Sequence, residues 1–272
     1  MKKIWPILGI FALTIVGFYF AMPTAPERVI TCDGDYRFHL QGVATDGVDI
    51  YWSFTDEIVR TDLKGKILAS QKAPSHQGDL CYKDGVVYVA VNRGEFNQEN
   101  KAISEISAYD AKTLKPLNTW PIDMPHGAGG MTWRGDRFFV VGGLPVTHDR
   151  NYIYEYTSDF KLVKRHELEC GFTLMGIQTA AFEDGYFYFG IYGDKGNPPG
   201  VIKASPDFRS YERFTGNGNV GILKLREHFF TGKAFKDPEN NAQRGLIQRD
   251  DNFCNDSMRY VPAKNDGVKM VK

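Results

Sequence analysis

The chain has 272 residues, with 33 basic side chains set against 33 acidic ones, and no run of Lys or Arg exceeds two residues. That balance excludes the basic footprint that phosphate neutralisation leaves on a nucleic-acid binder. Hydrophobic residues make up 42% and aromatics 14%, too many for a disordered chain, while 28 Gly and 13 Pro signal many turns and few long helices, the composition of one β-rich domain.

Met1-Lys2-Lys3 followed by an apolar run from Ile4 to Met22 reads as an export signal over residues 1–26. No small residue stands at the third position before a cut after Ala21, and Pro26 is a poor residue to follow a cut after Ala25. The run is also long enough for one membrane span. A cleaved signal peptide and an uncleaved anchor both stay open; either sends the rest of the chain to the periplasm or exterior, with the membrane met only through this segment. Four cysteines (Cys32, Cys81, Cys170 and Cys254) allow three disulfide pairings in an oxidising compartment. No CxxC is present, which disfavours a zinc ribbon or thioredoxin-type site. Cys32 and Cys254 lie near the two ends of the folded region and are the pair we expect to bond.

From Gln41 onward, five segments share one pattern: a small or polar start, a short strand, a tight turn with Asp or Gly, and a strand rich in aromatic and β-branched residues. They are Gln41-GVATDGVDIYWS, Gly78-DLCYKDGVVYVAV, Gly129-GMTWRGDRFFVVG, Gln178-TAAFEDGYFYFGI and Val220-GILKLREHFFTGK. Anchored on Gly42, Asp79, Gly130, Thr179 and Gly221, each has an aromatic residue nine positions on: Tyr51, Tyr88, Phe139, Tyr188 and Phe230. The anchors recur at intervals of roughly 40 to 50 residues, the blade length of propeller repeats. A second hairpin of alternating polarity follows four of them, beginning at Glu57, Ile106, Tyr152 and Val201. Together these predict an all-β, five-bladed β-propeller of four-stranded antiparallel blades over residues 27–262, with a tail at 263–272. A β-sandwich would not explain five copies in phase. The fifth unit shows three strands, so its outer strand must come from Arg28–Gly34, which would close the circle, or from Met258–Pro262; we expect the N-terminal strand. Gly216-Asn-Gly-Asn-Val-Gly221 fits GxGxxG, but a strand-like Ile222-LKLREHFF follows where a dinucleotide fold needs a helix.

In a propeller the connections alternate between the two faces. The long ones, Asn92–Lys101, Gly142–Asn151, Tyr192–Gly200 and Lys236–Arg244, all follow a second strand and share a face with the starts of the inner strands. That long-loop face is the candidate functional face. At the inner-strand starts stand His39, Gln41, His76, Gln77, Asp79, His126, Gln178 and Asn219. Because equal phase implies convergence on one axis, His39, His76 and His126 are candidates for acid–base catalysis or for holding a divalent metal. Gln41, Gln77, Asp79, Gln178 and Asn219, with Arg93 and Tyr192 from the long loops, are candidates for binding a small polar ligand. The long loops also bring His148, Asp149, Arg150, Asp194, Lys195, Lys233 and Lys236, and Trp52, Tyr88 and Tyr192 would offer aromatic faces. Two function classes follow. One is a hydrolase or lyase acting on a carbohydrate or carboxylate-like small molecule through the channel histidines. The other is a non-catalytic binding or scaffold propeller in which the same His and Gln residues tie blades together.

His39-LQGVATDGVDIYWSFTDEIVRTDLKGKILAS resembles the first blade of the glutamine cyclotransferase family of propellers. The matching positions are Gln41-Gly42, Tyr51, Ser53, Asp62-Leu63 and Gly65-Lys66. Elsewhere the chain is similar to quinoprotein-type and lactonase-type propellers only in its generic repeats. The resemblance implies the propeller fold. It assigns no catalytic residue, because Trp52 stands where the family has its acidic residue.

Overall fold

A computed structural model describes residues 26–194 and 198–260; the apolar run Ile4–Met22, Lys195 and the 263–272 tail lie outside the described residues. The described chain opens with β1 (Val29–Thr31). Blade 1 is β2 (Leu40–Thr45), β3 (Asp49–Phe54), β4 (Glu57–Asp62) and β5 (Ile67–Lys72); blade 2 is β6 (Gln77–Lys83), β7 (Val86–Asn92), β8 (Ser104–Asp110) and β9 (Pro116–Ile122). Blade 3 is β10 (Ala128–Arg134), β11 (Arg137–Gly142), β12 (Asn151–Tyr156) and β13 (Leu162–Leu168); blade 4 is β14 (Ile177–Glu183), β15 (Tyr186–Ile191), β16 (Gly200–Ala204) and β17 (Tyr211–Thr215). Blade 5 is β18 (Ile222–Leu225), β19 (His228–Lys236) and β20 (Gln243–Arg249), completed on its outer edge by β1. Each sheet is antiparallel and ordered from the axis outward, and the predicted five-bladed propeller is the observed fold. One 3-10 turn, Asp256–Met258, is the only helical element among the described residues.

The repeat phase has a structural meaning. The aromatic residue nine places after each anchor pairs with the residue two places after it: Tyr51 with Ala44, Tyr88 with Cys81, Phe139 with Thr132, Tyr188 with Ala181 and Phe230 with Leu223. Second strands such as β3, β11 and β15 are buried on both faces because each blade stacks on two others. They therefore read as near-continuous apolar runs, whereas the outer β5, β9 and β13 are mostly exposed. Asp84-Gly85 and Asp184-Gly185 make two-residue hairpin turns with both residues at positive φ, the geometry that matches strand twist.

Closure uses the N-terminal strand. β1 pairs with β20 in the register Ile30 to Ile247, and Tyr36 bridges Gln243 while stacking on Phe54 of blade 1 at 3.6 Å. The other candidate segment goes elsewhere: Arg259 bridges Phe214 and Tyr260 N–H donates to Arg213, so residues 259–260 run along the edge of blade 4.

The expected Cys32–Cys254 disulfide is absent; all four cysteines are free thiols. Each lies in a different layer between blades. Cys32 packs between blades 5 and 1, Cys81 between 2 and 3, Cys170 against the layer between 3 and 4, and Cys254 between 4 and 5 beside Tyr188 and Phe229. The segments that carry Cys32 and Cys254 both border blade 5, but on its opposite faces.

Candidate functional site

The inner strands approach so closely at the anchor level that only small residues fit, except at Asp79. A Cβ on Gly42 would stand 2.2 Å from Asp79 Oδ1, and one on Gly130 would stand 3.1 Å from Asp79 Cβ. Asp79 of blade 2 thus fills the axis, between blades 1, 3 and 4. Its Oδ2 accepts from Ala180 N–H at 3.0 Å, while Oδ1 is buried without a well-aligned partner. Burial pushes its carboxyl well above the usual carboxylate range, against the pull of the Ala180, Leu80 and Val43 N–H groups. This aspartate is a buried plug. It is not a ligand group at an open channel mouth.

Above the plug, on the long-loop face, His39 and His76 lie at the starts of β2 and β6. Gln41 Nε2 is 2.7 Å from His76 Nε2 and 3.3 Å from Thr55 Oγ1. An amide nitrogen only donates, so His76 accepts through Nε2 and carries its proton on Nδ1. Burial pushes the pKa of His39 down; for His76 burial and then the neighbouring His39 do so. Both shifts favour the neutral imidazole, and both residues are exposed. Phe38, next to His39, is an exposed aromatic with the Arg37 guanidinium 4.8 Å over its ring.

Most other expected ligand residues are occupied. Gln77 is buried and donates to Pro74 O at 2.5 Å. Gln178 donates to Met175 O at 2.6 Å, Tyr192 is partly buried and bonded to Asn219, and Arg93 pairs with Glu105. Trp52 is fully buried with Nε1 donating to Thr61 Oγ1 at 2.9 Å, and Tyr88 is packed against Phe138, Phe160 and Trp120. Neither offers a free aromatic face.

The three histidines divide between two places. His126 stands four residues before its anchor instead of three, and Gly127, at φ +98°, turns the chain there; a Cβ on it would meet the Phe96 ring at 2.6 Å. The imidazole is carried to Glu99 (2.9 Å from its Nε2), to His148 (4.7 Å between ring centroids), and to Tyr152 of the third strand (6.2 Å). His39, His76 and His126 therefore do not form one ligand set. Glu99 is not among the candidates the sequence offers, and His148 is there only one of the long-loop residues. The available signal was the pairing of a His before β10 with acid and His residues on the two long loops that flank it.

The opposite face holds a cavity of about 480 Å³, lined by the lower ends of the five inner strands. It begins one or two residues below the anchors, with Asp79 above it. Glu183 lies in its wall; burial, with a smaller push from the neighbouring Asp184 carboxylate, raises that carboxyl to about 7 against the opposing pull of the Lys224 ammonium, which itself pairs with Asp184 at 2.6 Å.

No known protein family and no curated protein matches the sequence. Among solved structures, the chain is similar to the GH43 BlXynB protein from Bacillus licheniformis over 81% of its own length and 54% of that chain, with a TM-score of 0.57 and 11% identity. It is similar to xylan β-1,4-xylosidase from Bacillus halodurans C-125 over the same shares, 81% and 54%, at TM-score 0.55 and 12% identity. BamB from Moraxella catarrhalis aligns over 75% of this chain and 63% of its own, at TM-score 0.40 and 13% identity. The likeness is one of fold, and the chain spans about half the length of the two Bacillus structures.

Proposed function

We propose that the protein is an exported binding propeller that takes a small neutral polar ligand, of carbohydrate type, on its long-loop face at His39, Gln41 and His76. The observation that carries this reading is the 2.7 Å contact between the Gln41 amide and the His76 imidazole, with His39 near enough to His76 to depress its pKa and the exposed Phe38 adjacent to His39 in the chain. Neutral imidazoles and an amide supply donors and acceptors without a fixed charge, and an aromatic face suits a sugar ring. Glycoside hydrolysis ordinarily depends on a pair of carboxyl groups roughly 5 to 10 Å apart, and Asp79, the carboxylate among the candidate ligand residues, is sealed at the axis. Binding is thus better supported than hydrolysis. Export rests on the Met1–Met22 sequence pattern.

A second reading places the ligand in the opposite cavity, favoured by its volume and by Glu183, a carboxyl poised near neutrality. One experiment separates them. A panel of mono- and oligosaccharides is screened by calorimetry or ligand-observed NMR against the wild type, His39→Ala/His76→Ala and Glu183→Gln. We expect at least about a tenfold loss of affinity in the double variant, the scale of losing a hydrogen-bond anchor, and none in Glu183→Gln. Binding should weaken as pH falls below the ordinary histidine range and the rings protonate. The reverse pattern would move the ligand to the cavity, and an unchanged affinity in both variants would overturn the two readings together.

A further inference from the structure

Away from the His39–His76 pair, Glu99, His126 and His148 each offer a ligand atom within 4.8 Å of the others. They come from three separate segments: the 93–103 loop after β7, the approach to β10, and the 143–150 loop after β11. Backbone bonds hold these together. Asn97 N–H donates to His126 O at 2.9 Å, Asn100 N–H to Pro125 O at 3.1 Å, and Gly143 N–H to Gly127 O at 3.0 Å. The His126 side chain is more than nine-tenths buried, yet its Nδ1 has no hydrogen-bond partner. A buried ring nitrogen left unsatisfied costs free energy, and this one belongs to a ring whose Nε2 already faces the Glu99 carboxylate at 2.9 Å. His148 Nδ1 lies 3.2 Å from Thr147 Oγ1, the kind of outer contact that orients a ligating imidazole.

We propose that Glu99, His126 and His148 form a site for a divalent transition metal of the zinc type. Two imidazoles and one carboxylate are a donor set suited to a borderline ion, and three protein ligands leave at least one position open for water or for a donor atom of a bound molecule. The site lies on the long-loop face and does not depend on where the ligand proposed above binds. Its ligands are distributed over three segments, so metal binding also clamps the two long loops to the approach to β10.

The test uses the untagged full chain, stripped with a chelator and titrated with Zn²⁺ alone by calorimetry. A parallel titration with Co²⁺ is followed by the visible absorption of the cobalt form. The expected result is one equivalent per chain with micromolar or tighter affinity. His148→Ala and Glu99→Gln should each weaken binding by at least about tenfold, and Zn²⁺ should raise the melting temperature of the wild type but not of His148→Ala. Because the His126 ring is buried, its replacement confounds folding with binding, so the decision rests on the partly exposed His148 and the exposed Glu99. His39→Ala/His76→Ala should bind the ion as the wild type does. Absence of stoichiometric binding, binding indifferent to His148→Ala, or binding lost in the His39/His76 variant would each overturn the site.

Discussion

Asp79→Ala is expected to destabilise the propeller by about 3 kcal/mol or more, because it empties the axis and leaves inward-facing N–H groups of three inner strands without an acceptor. For a domain of this size that is a fall in melting temperature of roughly 6 to 12 °C. The pH dependence gives a sharper reading. A carboxyl whose pKa is raised in the folded state contributes its full stability below its unfolded value, about 4. That contribution is lost as pH rises through the folded value. Burial raises Asp79 in this way, so its contribution declines upward from pH 4. Asp79→Asn keeps the size, one acceptor for Ala180 N–H and no charge, and should lack this decline. The melting temperature of Asp79→Asn relative to the wild type should therefore rise from pH 4 to pH 7. Glu183 is shifted in the same direction, but it is present in both proteins and cancels from the comparison. Parallel curves would mean that the axis holds Asp79 as an ordinary ionised carboxylate.

The second large effect is expected from deleting the closing segment, residues 1–36. Ile30, Cys32 and Tyr36 are buried between blades 5 and 1, and burying side chains of this kind is worth roughly 1.5 to 3 kcal/mol each for the aliphatic and aromatic ones. Backbone bonds from Cys32 N–H to Gly245 O and from Tyr36 N–H to Gln243 O, both 2.9 Å, are lost with them. The sum approaches the whole stability of a typical domain, and the deletion also bares β20 as an unpaired edge that invites aggregation. The truncated chain should show no cooperative melting by circular dichroism and should elute as aggregate on gel filtration. Deleting only residues 1–25 should leave the melting temperature within a few degrees of the full chain. A cooperative, monomeric 37–272 fragment would show that three strands suffice for blade 5.

Most of the architecture was legible because a propeller repeats one supersecondary unit in phase. The residues Gly42, Asp79, Gly130, Thr179 and Gly221 mark one level of the axis, and the aromatic residue nine places on marks one rung of each inner hairpin. The missing fourth strand of the last unit pointed to β1, and long second-to-third connections located the loop-rich face. His39 and His76 were readable as neighbours for the same reason, since both stand three residues before their anchors in adjacent blades.

The rest depended on distances that no repeat encodes. One extra residue and a left-handed Gly127 carry His126 away from the phase of His39 and His76, toward Glu99 and His148 on loops of unequal length that follow no period. An even number of cysteines suggested bonding, but radial stacking places each thiol in its own layer between blades. Asp79 was visible as the deep carboxylate of the set; that backbone from blades 1 and 4 closes over it is a property of strands brought together around the axis. The sequence by itself determined the blades and their order and narrowed the closing strand to two segments, because local pairing and alternation are written residue by residue. The tertiary structure alone decided which polar groups stay free, because inner-strand crowding and loop packing are set by contacts between blades.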